Sequence, residues 1–423
     1  LSRVGCDTWK EFYVNDAGNQ IHKFAVSIYA RYMQIILGEE GYEFPEEGYH
    51  GDDIKALAQA IYDANGDSWK DLPEEERFAR MAEYGLSVNI PNMKADLLRY
   101  GIEYDQWFFE SELHDTGYVA ETVEMLTEKG WTYEKDGALW LNTTELLKAK
   151  FMREGKTREQ VDKLDLKDDV LRRANGFYTY FAADIAYHRN KFEKRGFDKV
   201  INVWGADHHG HVARLQAALD GLDLDGSNRL VIVLMQLVNL LQDGKPVRMS
   251  KRTGKAIALN DLLDEINVDA ARYYFNNRAS TSPLDFDLGL AVRQDSENPV
   301  YYVQYAHARI CSLLSSMTDE GAVLLPAAEV NAAVLTEAEE QALLKNIAQY
   351  PEEVRLAARD YDPSRINRYL TGLAADFHRF YNACRCIVEA KELQCARMKL
   401  ADTVRLVLAN GLNLLGVTAP EKM

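Results

Sequence analysis

The sequence predicts an α/β protein: a parallel-sheet core interrupted by a helical insertion, followed by an all-α C-terminal helical bundle. Three observations predict it. Short apolar runs alternate with helical stretches across residues 177–241, the pattern of strands buried in a parallel sheet beneath covering helices. The chain also opens on strand-like residues that lead directly into an amphipathic helix, half of a βαβ unit. From about residue 299 onward, Leu, Ala and Tyr recur at helical spacing with no strand-like run between them.

Taken in order, "WKEFYV" (9–14) is aromatic and β-branched and reads as a strand. "NDAGN" (15–19) is turn chemistry that also offers N-cap oxygens. Ile21, Phe24, Ala25, Ile28, Tyr32, Ile35 and Ile36 then mark one face of a helix ending at Gly38. Residues 39–53, acidic and glycine-rich, read as a solvated loop that enters an insertion. Residues 54–130 are mostly polar and helical, with Ser68 as an N-cap candidate. The charged stretch 145–173 reads as helices with solvated faces. "FYTYFAADIAYH" (177–188) passes from strand-like aromatics into a helix. "KVINVWGADHHGHVARLQAAL" (199–219) is a buried strand, a glycine turn and a helix, and "RLVIVLMQLVNLL" (229–241) a further buried strand or pair of strands.

Length and composition bound the function. The chain has 423 residues, 47% hydrophobic and 27% charged, enough for two or three domains. No run approaches the roughly 18 apolar residues of a membrane span, and no signal peptide opens the chain, so no membrane partner is expected. The five cysteines are odd in number, and Cys384-x-Cys386 is too tight for a structural zinc site without a Cys-x-x-Cys partner. Reduced thiols of a cytoplasmic protein, with no metal site, are the expectation.

The net charge is −17, yet Lys245, Arg248, Lys251, Arg252 and Lys255 crowd into "KPVRMSKRTGK" (245–255). A P-loop is excluded twice, because Met249 stands where its first glycine belongs and Ala256 where its Ser/Thr belongs. Two readings remain: a mobile loop whose cations clamp phosphates, or a solvated surface hairpin. "WGADHHGH" (204–211) closes an apolar strand, where ligands of parallel sheets bind. Gly205 permits close backbone approach, and Asp207 can accept from a ribose hydroxyl. His208, His209 and His211 could instead serve a metal-dependent phosphoesterase, but no Asp-rich partner motif accompanies them. Tyr180 and Asp184 lie four apart on one helix face. A phenol beside a carboxylate suits a guanidinium fork; the alternative is a core tyrosine and a helix-capping aspartate.

Together these segments resemble the bacterial-type arginyl-tRNA synthetases, a family of class I aminoacyl-tRNA synthetases. "EFYVNDAGNQI" (11–21) resembles the segment after the family's first nucleotide-binding motif, "YTYFAADIAYH" (178–188) its arginine-pocket helix, and "NVWGADHHGH" (202–211) its ribose-binding turn. "VRMSKRTG" (247–254) resembles the second class I signature, Lys-Met-Ser-Lys-Ser. The likeness continues through "NVDAARYYF" (267–275), "NPVYYVQYAHARI" (298–310) and "LLGVTAPEKM" (414–423).

The resemblance implies ATP-dependent activation of L-arginine and its transfer to tRNA(Arg), with Mg2+ accompanying the ATP, in a cytoplasmic monomer. Lys251, Ser250 and Arg248 match the catalytic signature loop, although Arg248 replaces its first lysine; Met249 and Lys251 belong to the ATP site with Gly205 and Asp207. Tyr180, Asp184 and His208 match the arginine pocket, and Tyr305 and Tyr381 are expected tRNA contacts. It also implies a Rossmann-like catalytic core in 1–38 and 131–240, an insertion in 39–130, a signature-loop and connecting region in 241–298, and a helical anticodon-binding domain in 299–423. The family's His-Ile-Gly-His motif and N-terminal tRNA-binding domain fall before Leu1; "HHGH" (208–211) occupies the ribose turn and is not that motif. The expectation is a truncated synthetase with reduced or no activity alone, the alternative a synthetase-like tRNA-binding protein without catalysis.

Overall fold

The computed structural model describes residues 1–247 and 257–423. It divides into two compact units: one comprises Trp9–Leu98 and Ile102–Ile232, the other Leu1–Thr8, Arg99–Gly101 and Val233–Met423.

The first unit begins with β1 (Glu11–Val14) and α1 (Gly18–Leu37). The apolar period of α1 is realised as a buried face of Ala25, Ile28, Tyr29, Tyr32 and Met33, and Gly38 ends the helix at φ 82°, a conformation that favours glycine. The expected N-cap oxygens are used elsewhere: Ala17 is the cap residue, and the Asp16 carboxylate accepts from the Ser111 backbone N–H at 2.9 Å and from its hydroxyl at 2.6 Å. Helix α2 (Asp52–Asn65) and α3 (Glu74–Arg99, all but its last residue in this unit) follow, and α1, α2 and the first half of α3 share a small core with Ile54, Leu57, Ile61 and Met81. Ser68 does not cap α3; it lies in the preceding turn, its N–H bonded to Asn65 O.

Strand β2 (Gln106–Phe109) lies within the stretch 39–130 yet pairs in parallel with β1, Glu11 opposite Gln106 and Val14 opposite Phe109. Helices α4 (Glu110–Asp115) and α5 (Tyr118–Glu128) lead to an antiparallel sheet of β3 (Thr132–Lys135), β4 (Ala138–Leu141) and β5 (Asp169–Arg172). Between β4 and β5, α6 (Thr143–Arg153) starts at the Asn142 cap and α7 (Arg158–Asp162) at a Thr157–Gln160 capping box. The charged stretch 145–173 is thus only partly a solvated face, since Leu146, Leu147, Val161 and Leu171 are buried. Helix α8 (Tyr180–Arg189), capped by Thr179, is nearly all buried; β6 (Val200–Gly205) and α9 (His209–Gly221) form the strand–turn–helix read from the sequence. The one-turn α10 (Gly226–Arg229) precedes β7 (Leu230–Met235), the strand paired with β6, within which the chain leaves this unit.

In the second unit, β8 (Val238–Gln242) pairs with β9 (Lys245–Pro246) in antiparallel and with β10 (Leu284–Asp287) in parallel. The apolar run 230–241 is not one buried strand: Gln236 N–H donates to Ser280 O, pairing is interrupted there, and Leu237 is 83% exposed. Helices α11 (Leu259–Glu265), α12 (Val268–Phe275) and the short α13 (Leu288–Ala291) lead to the bundle, α14 (Pro299–Asp319), α15 (Ala338–Asp360), α16 (Ser364–Ala383) and α17 (Lys391–Leu414). Pro299 opens α14 at the position where a missing N–H costs nothing. Phe286, Val303, Leu370, Phe377, Phe380 and Leu408 belong to one continuous core. No helix is long and apolar enough to cross a membrane among the described residues.

Candidate active site

Strands β1 and β2 are parallel, so Val14 and Phe109 end at the same edge, the ligand-binding edge of such sheets. Helix α8 ties this edge to β6. Tyr187 sets its ring 4.5 Å from Tyr13 and 4.8 Å from Phe108, and its hydroxyl donates to Glu11. One residue on, His188 places Nδ1 2.7 Å from Asp184 O and Nε2 2.7 Å from the Asn202 amide nitrogen on β6. A carbonyl only accepts, so Nδ1 carries the proton and Nε2 accepts from Asn202. Burial, with the Lys191 charge adding to it, pushes His188 down to about 4, and the ring is neutral. Beneath them, burial pushes the Glu11 carboxyl up, but bonds from Arg195 and Tyr187 and the nearby Lys191 charge outweigh it and hold the group below the usual carboxylate range.

The Asp184 carboxylate has a partner on a further helix. Its Oδ2 is 2.9 Å from His211 Nε2 on α9. The His211 ring lies 5.1 Å from Phe181 and 5.6 Å from Trp204, and its Nδ1 is 3.5 Å from Arg214 Nη2. A second carboxylate, Glu110, directly follows β2 and is 3% exposed. Burial raises it above the usual range and the Asp184 charge adds to the shift, although bonds from Tyr13 and His114 oppose it. Burial and the Glu110 charge in turn push the Tyr13 phenol up, keeping it a donor. Two carboxylates whose charges act on each other among aromatic rings are an environment that suits a cation.

The other expected residues surround this pair. Tyr180 is on α8 but exposed, its ring over the start of α1, where a Cβ added to Gly18 would lie 3.8 Å from the Tyr180 hydroxyl. Gly205, Asp207 and His208 stand exposed at the end of β6, in a turn with one 3₁₀ stretch, Ala206–His208. A Cβ at Gly205 would come 2.5 Å from Asp207 Oδ1, so the bare backbone lets that carboxylate fold back over the turn. His208 meets Asp207, Nε2 to Oδ2 3.8 Å, and Trp204 at 5.9 Å between rings, while it is His211 that bonds Asp184. Among the described residues no group of three or more His, Cys, Asp or Glu could hold a metal ion. Arg248, Met249, Ser250 and Lys251 lie outside the described residues. Glu110 and His211 are the pocket groups that sequence reasoning did not assign; a strand-end position after "QWFF" is the signal that could have found Glu110.

The second unit holds an open cleft of about 410 Å³ between α14 and α16, lined by Tyr301, Tyr302, Tyr305, Arg309, His378 and Asn382 among others. Tyr301 and Tyr305 stack at 5.9 Å with rings 7° from parallel. Tyr305 is 38% exposed, and His378 lies 5.1 Å from Tyr302 with a buried Nδ1 that has no partner among the described residues. Tyr381 stands behind Arg309, whose guanidinium carbon is 4.1 Å from the centre of its ring. Aromatic faces beside a cation suit unpaired nucleobases and their phosphates.

Comparison with known proteins matches both places. The family model described as tRNA synthetases class I (R), catalytic domain, matches residues 103–285, and the DALR anticodon binding domain matches residues 303–423. The arginine–tRNA ligase of Acetivibrio thermocellus is 50% identical over 423 residues, covering all of this chain and 72% of the relative. That of Caldanaerobacter subterraneus subsp. tengcongensis is 51% identical over the same shares. A solved candidate arginyl-tRNA synthetase from Campylobacter jejuni superposes with a TM-score of 0.84 at 33% identity, covering 100% of this chain and 86% of that one.

Proposed function

The chain belongs to the arginine–tRNA ligase family of class I aminoacyl-tRNA synthetases, and from that premise we propose how its residues divide the work. Arginine is activated by ATP and passed to tRNA. In the first step a carboxylate oxygen of arginine attacks the α-phosphorus and pyrophosphate leaves; in the second a hydroxyl of the terminal tRNA ribose attacks the arginyl carbonyl and AMP leaves. The substrate guanidinium is held by Asp184, with Glu110 as the second carboxylate and Tyr180 at the rim. Asp207, at the Gly205 turn, takes the ATP ribose. Lys251, with Arg248, Ser250 and Met249, stabilises the triphosphate and the departing pyrophosphate, electrostatic help that matters most as charge develops. Magnesium enters with the nucleotide as its phosphate counter-ion, a role that asks for no protein cluster of ligands. Tyr305, with Arg309 and its supporting Tyr381, meets the tRNA, and His208 stays near the arginine site through Trp204. The chain works as a cytoplasmic monomer.

The observation that carries this reading is two carboxylates whose charges act on each other, Asp184 on α8 and the buried Glu110 directly after β2. Calorimetric titration with arginine and with lysine tests it. Wild type is expected to prefer arginine, and Asp184→Asn to lose about 100-fold in arginine affinity, the scale of one buried charge-assisted hydrogen bond of about 3 kcal/mol. Equal affinity for lysine, or an unaffected Asn variant, would overturn the assignment.

A further inference from the structure

The imidazole bonded to Asp184 presents a problem of charge. If His211 were an imidazolium, it would already form an ion pair with the carboxylate, and an incoming cation would have to compete with it. The surroundings of His211 argue against that state. Its Nε2 faces Asp184 Oδ2 at 2.9 Å, and its Nδ1 faces Arg214 Nη2 at 3.5 Å. A guanidinium only donates, so Nδ1 presents a lone pair, and the ring proton is left on Nε2. The contact is long for a hydrogen bond. Its electrostatic sense survives the distance, because a proton on Nδ1 would point at a like charge. Arg214 is itself anchored: Nη1 is 2.5 Å from Asp169 Oδ1 on β5, and Nε donates to Gly210 O at 3.0 Å. Asp169 Oδ2 is buried with no partner among the described residues, and the carboxylate bonds Arg214 through its other oxygen. Phe181 and Trp204, whose rings also pack against it, are uncharged.

We propose that Arg214 and Asp169 are positioning residues for substrate binding: they hold His211 as the neutral Nε2–H tautomer, so that it orients Asp184 by donating one hydrogen bond and leaves the carboxylate its full charge. The link to substrate rests on the reading that Asp184 takes the guanidinium; the tautomer itself does not.

The experiment uses the full chain labelled with 15N-histidine, with two-bond proton–nitrogen spectra recorded at neutral pH and the His211 signals identified by their loss in His211→Gln. Wild type should show one protonated and one unprotonated ring nitrogen for His211, in the Nε2–H pattern. Arg214→Gln should move it to the doubly protonated pattern. An imidazolium or an Nδ1–H ring in wild type, or a pattern indifferent to Arg214→Gln, would overturn the proposal. A calorimetric arm separates positioning from damage to the fold. Arg214→Gln should weaken arginine binding about tenfold, the scale of one hydrogen-bond contribution. Adding His211→Gln, whose amide can donate to Asp184 and cannot become charged, should restore it to within about threefold. A merely structural role for Arg214 gives no such rescue and would overturn the proposal. Wild type with the Nε2–H ring but no preference for arginine would count against Asp184 as the guanidinium site, leaving the tautomer assignment standing.

Discussion

Asp184 and Tyr305, the groups proposed to meet arginine and tRNA, stand in the two units in opposite settings. Around Asp184 the imidazoles are held in advance: His188 is locked between Asp184 O and Asn202, and His211 between the Asp184 carboxylate and Arg214. Around Tyr305 the walls are ring faces, and His378 keeps a buried Nδ1 without a partner among the described residues. A charge must meet dipoles that do not reorganise, whereas a stacked base needs only a flat face at the right depth. Polar order should therefore dominate the response of the first unit, and surface shape that of the cleft.

The largest expected effect breaks this contrast deliberately, at a buried charge pair of the helical unit whose two residues do not line the cleft. Glu340 is fully buried and accepts from Arg397 Nε at 2.6 Å, while Arg397 Nη1 donates to Arg385 O at 2.6 Å. Glu340→Ala leaves the guanidinium buried without its counter-charge and should destabilise the unit by about 3–5 kcal/mol. Amide hydrogen exchange checks it: protection should fall in α15 and α17 while α8 and β6 are unaffected. A loss below about 1 kcal/mol would mean that Arg397 finds water, and that the bundle core is wetter than its packing indicates.

The second effect is smaller and belongs to the first unit. His188 titrates near 4 in the folded chain, below the roughly 6.5 of an unfolded histidine. Between those values the unfolded chain binds more protons, so stability rises with pH and is lost as pH falls from about 6.5 toward 4. Between pH 7 and pH 5 the loss from this one group is about 2 kcal/mol. Urea unfolding monitored in this unit should show that slope in wild type, and His188→Gln should flatten it. An unchanged slope would assign the acid sensitivity to other groups and would weaken the case for a neutral His188.

How much of this was legible in the sequence follows the same division. Periodic apolar residues located α1 and its end at Gly38, and a continuous apolar run followed by glycine located β6 and Asp207, because both signals are local. The four-residue strands β2, β3 and β5 were not legible, since each is too short to establish a period amid charged helical stretches. The cap of α1 was misread because Asp16 is taken by Ser111, 95 positions away, and no local pattern announces that bond. In the candidate site, the helix that carries Tyr180 and Asp184 was legible from their spacing, but the partner of Asp184 was not: of three nearby histidines, only packing against Phe181 and Trp204 selects His211. Glu110 escaped for the same reason, being one acidic residue among many until β2 is seen beside β1.

The smallest expected effect sharpens the comparison at the cleft. If Tyr305 works by its face, Tyr305→Phe should leave binding of arginine-accepting tRNA nearly unchanged, while Tyr305→Ala should cost about 1–2 kcal/mol, roughly 5- to 30-fold in affinity, the range of a single base–aromatic stack. Tyr381→Ala should act through Arg309, which loses the ring 4.1 Å away; its effect should therefore shrink as salt rises, as phosphate contacts do, while that of Tyr305→Ala persists. Titrations of fluorescent arginine- and lysine-accepting tRNAs at two salt concentrations separate the cases. A Phe variant as weak as the Ala variant would make the hydroxyl, not the face, the recognition group. The cleft would then resemble the Asp184 site in kind, and the division drawn between the units would fail.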